Sequence, residues 1–122
     1  MDTSRYADLF LTESREHLSA INHSLLELER TGGGAEAVGA LFRAVHTVKG
    51  MSATMGYTAV ASLTHEMESL LDLVRRGAQA VTPAMMETLF QSADALEDAV
   101  ERSVAGGEPA DVSGLVRELQ SH

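Results

Sequence analysis

The chain of 122 residues contains no cysteine, only two prolines and no apolar run of membrane-spanning length. The absence of cysteine excludes disulfide bonds and thiolate chemistry, and it fits a reducing compartment. A transmembrane helix needs about 20 consecutive apolar residues, so we expect no membrane insertion. Residues 1–5 also lack the basic-then-apolar pattern of a secretory signal peptide. A cytoplasmic location is therefore the simplest expectation.

Positive charge is also scarce, with 9 Lys and Arg residues against 18 Asp and Glu residues and a formal net charge of −9. Such an acidic surface repels nucleic acid and anionic membranes, so we expect no nucleic-acid partner. It would also hold a free phosphate ester poorly, and a phosphoryl group here would have to be attached covalently or held locally. The apolar share of 44% is nevertheless that of a globular protein, which argues against a disordered chain.

Apolar residues recur every three or four positions along most of the chain, which is the period of an amphipathic helix. The triplet Gly32-Gly33-Gly34 interrupts this pattern, and Thr82-Pro83 supplies a capping residue followed by proline at the first helical position. No stretch alternates apolar and polar residues over the length of a strand. The pattern predicts helices over about residues 4–30, 35–54, 58–76, 83–104 and 111–120. Because the connections are short, we expect one all-α domain over residues 1–122, an up-down antiparallel four-helix bundle with an additional short C-terminal helix.

A helical bundle raises the possibility of a metal site, because carboxylate-bridged di-metal bundles carry Glu-x-x-His motifs on facing helices. No histidine of this chain follows a glutamate at that spacing. The segment His65-Glu66 also lacks the second histidine of a zinc protease helix. We therefore predict no metal and no other cofactor in this domain.

The strongest candidate for chemistry is His46, at the edge of the apolar stripe of the second predicted helix. Lys49 and Gly50 follow three and four positions later, so both neighbour His46 on the helix surface. A glycine inside a helix costs about 1 kcal/mol relative to alanine, and this one lies where a side chain would shield His46 from a docking partner. Position alone leaves a plainer alternative open, in which His46 packs at the core boundary and Gly50 allows close helix packing.

The third predicted helix carries polar residues that could face His46. His65, Glu68 and Asp72 are spaced three and four apart, so they form one polar face beside the apolar stripe. If the second and third helices are antiparallel, His46 and Glu68 lie at similar distances from the connecting turn and at similar heights. Glu68 can then accept a hydrogen bond from one ring nitrogen of His46, which leaves the other nitrogen with its lone pair outward. Spacing alone leaves the alternative open that Glu68 is a solvated acidic residue.

Two strings carry a resemblance to a known family: Leu41-Phe-Arg-Ala-Val-His-Thr-Val-Lys-Gly-Met-Ser-Ala-Thr-Met-Gly-Tyr57, followed by Leu63-Thr-His-Glu-Met-Glu-Ser-Leu-Leu-Asp72. They resemble histidine phosphotransfer (HPt) domains, and in particular the N-terminal phosphotransfer domains of CheA-type chemotaxis histidine kinases. The opening of the first predicted helix is similar as well, so the resemblance covers nearly all of the first four helices. The combination of Phe-Arg-Ala-x-His-x-x-Lys-Gly with His-x-x-Glu-x-x-Leu-Asp is highly specific.

The resemblance implies a role for each candidate residue. His46 is the phosphoacceptor through its Nε2 atom, Glu68 orients it through Nδ1, and Lys49 supports the phosphoryl oxygens. His65 belongs to the same polar network in a supporting role, and Gly50 keeps the approach open. The implied partners are the ATP-binding kinase domain of a CheA-type protein, which brings ATP and Mg, and response regulators of the CheY or CheB type, which receive the phosphoryl group on an aspartate.

The chain itself has no Gly-x-x-x-x-Gly-Lys-[Ser/Thr] loop for ATP and is too short for a kinase domain beside the bundle. We therefore expect a phosphocarrier that is not an enzyme on its own, and a fragment of a longer kinase. Two alternatives stay open: an HPt domain of a non-chemotaxis hybrid sensor or stand-alone phosphorelay shuttle, and a passive helical module in which His46 only packs. We expect His23 and His122 to be solvated.

Overall fold

The computed structural model describes residues 3–122, so Met1 and Asp2 lie outside the described part. Five helices follow one another within these residues: α1 (Thr3–Thr31), α2 (Ala35–Met55), α3 (Thr58–Arg75), α4 (Pro83–Ala105) and α5 (Ser113–Gln120). Residues 3–122 contain no β-strand. The predicted all-α class is therefore confirmed.

The four long helices form a bundle in which each helix packs against two neighbours. Helix α2 packs against α1 and α3, and α4 closes the bundle by packing against the same two helices. The short α5 packs on α3 and α4. This is the predicted four-helix bundle with an additional C-terminal helix, and it makes α2 and α3 direct neighbours along their length. None of the helices within residues 3–122 has the length and apolar character needed to cross a membrane.

Local signals explain where the helices begin and end. Thr82 accepts a hydrogen bond from the backbone nitrogen of Met85 at 3.1 Å, and Pro83 occupies the first turn of α4. Gly56 ends α2 in the left-handed conformation with φ of 74°, which residues with a Cβ rarely adopt. Asp111 accepts a hydrogen bond from the backbone nitrogen of Ser113 at 3.1 Å. Asp111 lies before the N-cap residue Val112, so α5 begins two residues later than predicted.

The core consists of the apolar stripes of the four long helices. The stripe of α4 is buried throughout, at Met86, Leu89, Ala93, Leu96 and Val100. Each fully buried aliphatic side chain contributes about 1.5–3 kcal/mol relative to exposure. The stripe of α2 is buried except for Phe42, which is half-buried at the surface end of the α2–α3 contact. The core thus fixes α2 against α3 and leaves one aromatic ring at the edge of that contact.

The prediction that His122 is solvated is wrong. Its Nε2 atom lies 2.9 Å from Thr88 Oγ1, and its carbonyl oxygen accepts a hydrogen bond from Gln79 Nε2 at 2.6 Å. These contacts hold His122, which lies two residues after the end of α5, against α4 and leave it half-buried. His23 is exposed on α1, as predicted.

Candidate functional site

The imidazole of His46 stands on the outer surface of α2. Its neighbours Val45 and Val48 are fully buried and fix the rotation of the helix, so the position between them turns away from the core. The His46 side chain is 60% exposed, more than a core-boundary residue would be. The hypothesis that His46 only packs is therefore wrong, and the ring is open to a partner from solution.

A hydrogen bond across the α2–α3 contact orients the ring. His46 Nδ1 lies 3.0 Å from Glu68 Oε2, so the contact expected from the heights of the two residues is present. An ionised carboxylate can only accept a hydrogen bond, so the Nδ1 atom carries the proton. In the neutral imidazole the other nitrogen, Nε2, then keeps its lone pair. The arrangement presents one defined nucleophilic atom to the solvent.

Glu68 is held in its ionised form by its surroundings. Partial burial alone would raise the pKa of Glu68, but hydrogen bonds and charges from Lys49 and His46 outweigh that effect and lower the pKa below its usual value. The Lys49 Nζ atom lies 2.9 Å from Glu68 Oε2, the same oxygen that faces His46. The side chains of Lys49 and Glu68 are 28% and 18% exposed. Lys49 therefore acts on the carboxylate directly, and its ammonium group lies beside the histidine site.

Gly50 lies one turn after His46 and is exposed. A Cβ atom added at Gly50 would meet no atom within 4 Å. Close helix packing therefore does not explain this glycine, and that alternative is wrong for the described residues. Glycine destabilises the helix by about 1 kcal/mol relative to alanine. In return, no side chain covers the helix surface next to the imidazole at this position.

The other two polar residues of α3 lie outside this contact. His65 is exposed, and its Nε2 atom lies 4.0 Å from Glu66 Oε1. Within residues 3–122 it has no hydrogen bond or ion pair with His46, Lys49 or Glu68. Asp72 pairs instead with Arg75 at 2.6 Å, in the last turn of α3, and with Arg76 at 3.0 Å, at the C-cap of that helix. The structure therefore brings together His46, Lys49 and Glu68.

The sequence analysis missed a stack of side chains beside His46. The rings of Phe42 and His46 are nearly parallel, with planes 6° apart and centroids separated by 6.1 Å. The guanidinium carbon of Arg75 lies 4.1 Å from the centroid of the Phe42 ring. The spacing of four residues between Phe42 and His46 was a signal for the first contact. The second contact joins α3 to α2 and has no such signal.

A metal centre has no support in the described part of the chain. No group of three or more His, Asp or Glu side chains within residues 3–122 is arranged to hold a metal ion. An exposed imidazole with one free nitrogen, oriented by a carboxylate that a lysine holds ionised, is instead suited to nucleophilic group transfer.

A histidine nucleophile on a four-helix bundle defines the class of histidine phosphotransfer modules. The chain belongs to the Hpt domain family, whose model matches residues 5–106. It is also similar to the chemotaxis protein CheA of Bacillus subtilis (strain 168), with 46% identity over 108 residues. That match covers 88% of this chain but only 16% of the relative, so the chain spans about a sixth of the length of the protein it resembles.

Solved structures show the same relationship. The CheA phosphotransferase domain from Thermotoga maritima has 34% sequence identity and a TM-score of 0.80, and the match covers 85% of this chain and 99% of that one. The phosphorylated P1 domain of CheA3 from R. sphaeroides, solved in complex with CheY6, has 32% identity and a TM-score of 0.86. That match covers 97% of this chain and 94% of the other. The resemblance therefore extends over the whole bundle, beyond the histidine motif.

Proposed function

We propose that this chain is the phosphotransfer domain of a CheA-type chemotaxis kinase, in which His46 accepts a phosphoryl group and passes it to a response regulator. The observation that carries the proposal is the 3.0 Å contact between His46 Nδ1 and Glu68 Oε2 on an imidazole that is 60% exposed. It gives the ring a fixed tautomer and leaves Nε2 accessible. The relatives reported above are CheA proteins or CheA phosphotransferase domains, which supports the chemotaxis assignment over a hybrid-sensor origin.

The first transfer loads His46. The Nε2 lone pair attacks the γ-phosphorus of ATP bound to a separate kinase domain, a P–N bond forms, and the bond from phosphorus to the bridging oxygen of ADP breaks. No proton has to leave Nε2 first, because the Glu68 carboxylate keeps the proton on Nδ1. ATP and its Mg ion belong to the kinase domain, and this domain acts as a phosphocarrier without an ATP site of its own.

The second transfer unloads His46. An aspartate oxygen of a CheY- or CheB-type regulator attacks the phosphorus, a P–O bond forms, and the P–N bond breaks with its electron pair returning to Nε2. The Lys49 ammonium, 2.9 Å from Glu68, supplies a positive charge near the transferred group. An ammonium has three donors and uses one on Glu68, so it retains donors for phosphoryl oxygens. Gly50 leaves room for both partners.

The assignment is tested by labelling with radioactive ATP and the ATP-binding domain of a CheA-type kinase. We expect acid-labile label on the chain, no label on His46→Gln, and unchanged label on His23→Gln, the control for another exposed histidine. Addition of a CheY-type regulator should remove the label from the chain and place it on the regulator. Label that persists on His46→Gln would refute the assignment, and preferential transfer to a regulator from a hybrid-sensor pathway would refute its chemotaxis part.

A further inference from the structure

A chain of contacts leads from the end of α3 to the ring of His46. Asp72 Oδ1 accepts a hydrogen bond from Arg75 Nη2 at 2.6 Å, and the Arg75 guanidinium lies 4.1 Å from the centroid of the Phe42 ring. The Phe42 ring in turn is nearly parallel to the His46 imidazole. The contacts cross from α3 to α2, and they reach His46 through a residue other than Glu68.

The Glu68 hydrogen bond orients the ring but leaves it some rotational freedom. One contact at Nδ1 holds one atom, and an exposed imidazole can still rotate about its side-chain torsions, which have several accessible wells. A second contact, with a ring nearly parallel to the imidazole, restricts that rotation. Phe42 is placed to supply it, because aromatic pairs interact at centroid separations of about 4.5–7 Å.

Phe42 needs support of its own because it is only half-buried. Arg75 supplies this support, since a guanidinium over an aromatic face is attracted by the ring quadrupole within about 6 Å of the centroid. Asp72 holds the arginine in place through an ion pair of 2.6 Å. The three residues therefore form a brace in which each one restricts the next.

We propose that Phe42 and Arg75 are positioning residues for His46, and that together they hold Nε2 in the direction from which the phosphoryl donor approaches. The inference rests on the proposed function of His46 as the phosphoacceptor. It assigns to a phenylalanine and an arginine a role in the rate of transfer, without any contact to the phosphoryl group. With the brace removed, His46 spends part of its time in unproductive rotamers.

The test compares Phe42→Leu and Arg75→Gln with two matched variants. Phe42→Tyr keeps the aromatic ring. Arg102→Gln removes an arginine that is paired with Asp98 and whose side chain is 52% exposed, similar to the 51% of Arg75. We expect the maximal rate of phosphorylation at saturating domain concentration to fall about twofold to threefold in Phe42→Leu and Arg75→Gln. This magnitude follows because a freely rotating side chain divides its time among about three staggered wells, of which one is productive. The KM for the domain should stay constant, and Phe42→Tyr and Arg102→Gln should keep the parent rate.

Two further measurements separate positioning from docking. Potassium phosphoramidate phosphorylates histidine with release of ammonia and needs no protein partner, so the same loss should occur with this donor. Nuclear magnetic resonance of ring-labelled His46 in the unphosphorylated domain should show increased ring motion in Phe42→Leu and Arg75→Gln. A loss confined to the kinase reaction, a change in KM alone, or unchanged ring motion would overturn the proposal. The ring measurement involves no phosphorylation. It therefore tests the positioning role even if His46 proves not to be the phosphoacceptor.

Discussion

Replacement of Glu68 by alanine removes the carboxylate that lies 3.0 Å from His46 Nδ1. The proton of the neutral ring is then free to occupy either nitrogen, and the ring loses one of its two contacts. A hydrogen bond to a charged group contributes about 1.5–3 kcal/mol, which corresponds to about tenfold to a hundredfold in rate. Because the imidazole is 60% exposed, water replaces part of this interaction. We therefore expect the lower end, a loss of about tenfold in phosphorylation rate.

The assay is the initial rate of labelling by a CheA-type kinase domain at saturating ATP, with circular dichroism to show that each variant is folded. Glu66→Ala is the matched control, since Glu66 is also on α3 and its side chain is also 18% exposed, but it lies 4.0 Å from His65 and makes no hydrogen bond or ion pair with His46 within residues 3–122. It should keep the parent rate. Glu68→Gln retains an amide oxygen that can accept from Nδ1, so its rate should lie between those of the parent and the alanine variant. Equal rates for folded Glu68→Ala and Glu66→Ala would refute the orienting role of the carboxylate.

Three further predictions concern stability as well as transfer. Gly50→Ala should raise the free energy of unfolding in urea by about 1 kcal/mol, because the added methyl meets no atom within 4 Å. It should also slow labelling by the kinase domain, and an unchanged or faster rate would contradict the access role. Ser14→Ala should stabilise the fold by about 1 kcal/mol, because the buried Ser14 Oγ has no hydrogen-bond partner among the described residues; a destabilised variant in the urea titration would contradict this. The lowered pKa of Glu68 means that its contribution to stability is complete above the ordinary value of 4.5 and is lost as the pH falls through the folded-state pKa. Urea titrations between neutral and acidic pH should therefore show a smaller loss for Glu68→Gln than for the parent, and equal losses would contradict the assignment.

The contact between His46 and Glu68 was predictable because it depends on few quantities. The helical rise, the length of the turn after α2 and the antiparallel arrangement place both residues at one height, and the apolar stripes fix which way they face. The same reasoning placed Asp72 on the polar face with Glu68. It could not show that the Asp72 carboxylate forms ion pairs with Arg75 and Arg76 and not with His46.

The remaining contacts depend on side-chain conformation and on how the helices tilt. Lys49 has a flexible four-carbon stem, so its position on the helix did not determine that its ammonium reaches Glu68. The contact of Arg75 with Phe42 joins residues of two helices and depends on the local separation of α2 and α3. His122 follows the last helix, and its docking against Thr88 arises from the packing of α5, which no periodic pattern records.

The exposed imidazole of His46 presents one free nitrogen, and this imposes an order of events. Loading and unloading both occur at the same atom, so under the proposed function the kinase domain and the regulator exclude each other. The first partner has to dissociate before the second can bind, and tight binding of either would stall the relay. Brief, weak encounters therefore suit this surface, and covalent linkage to the kinase would supply the high local concentration that makes weak encounters frequent.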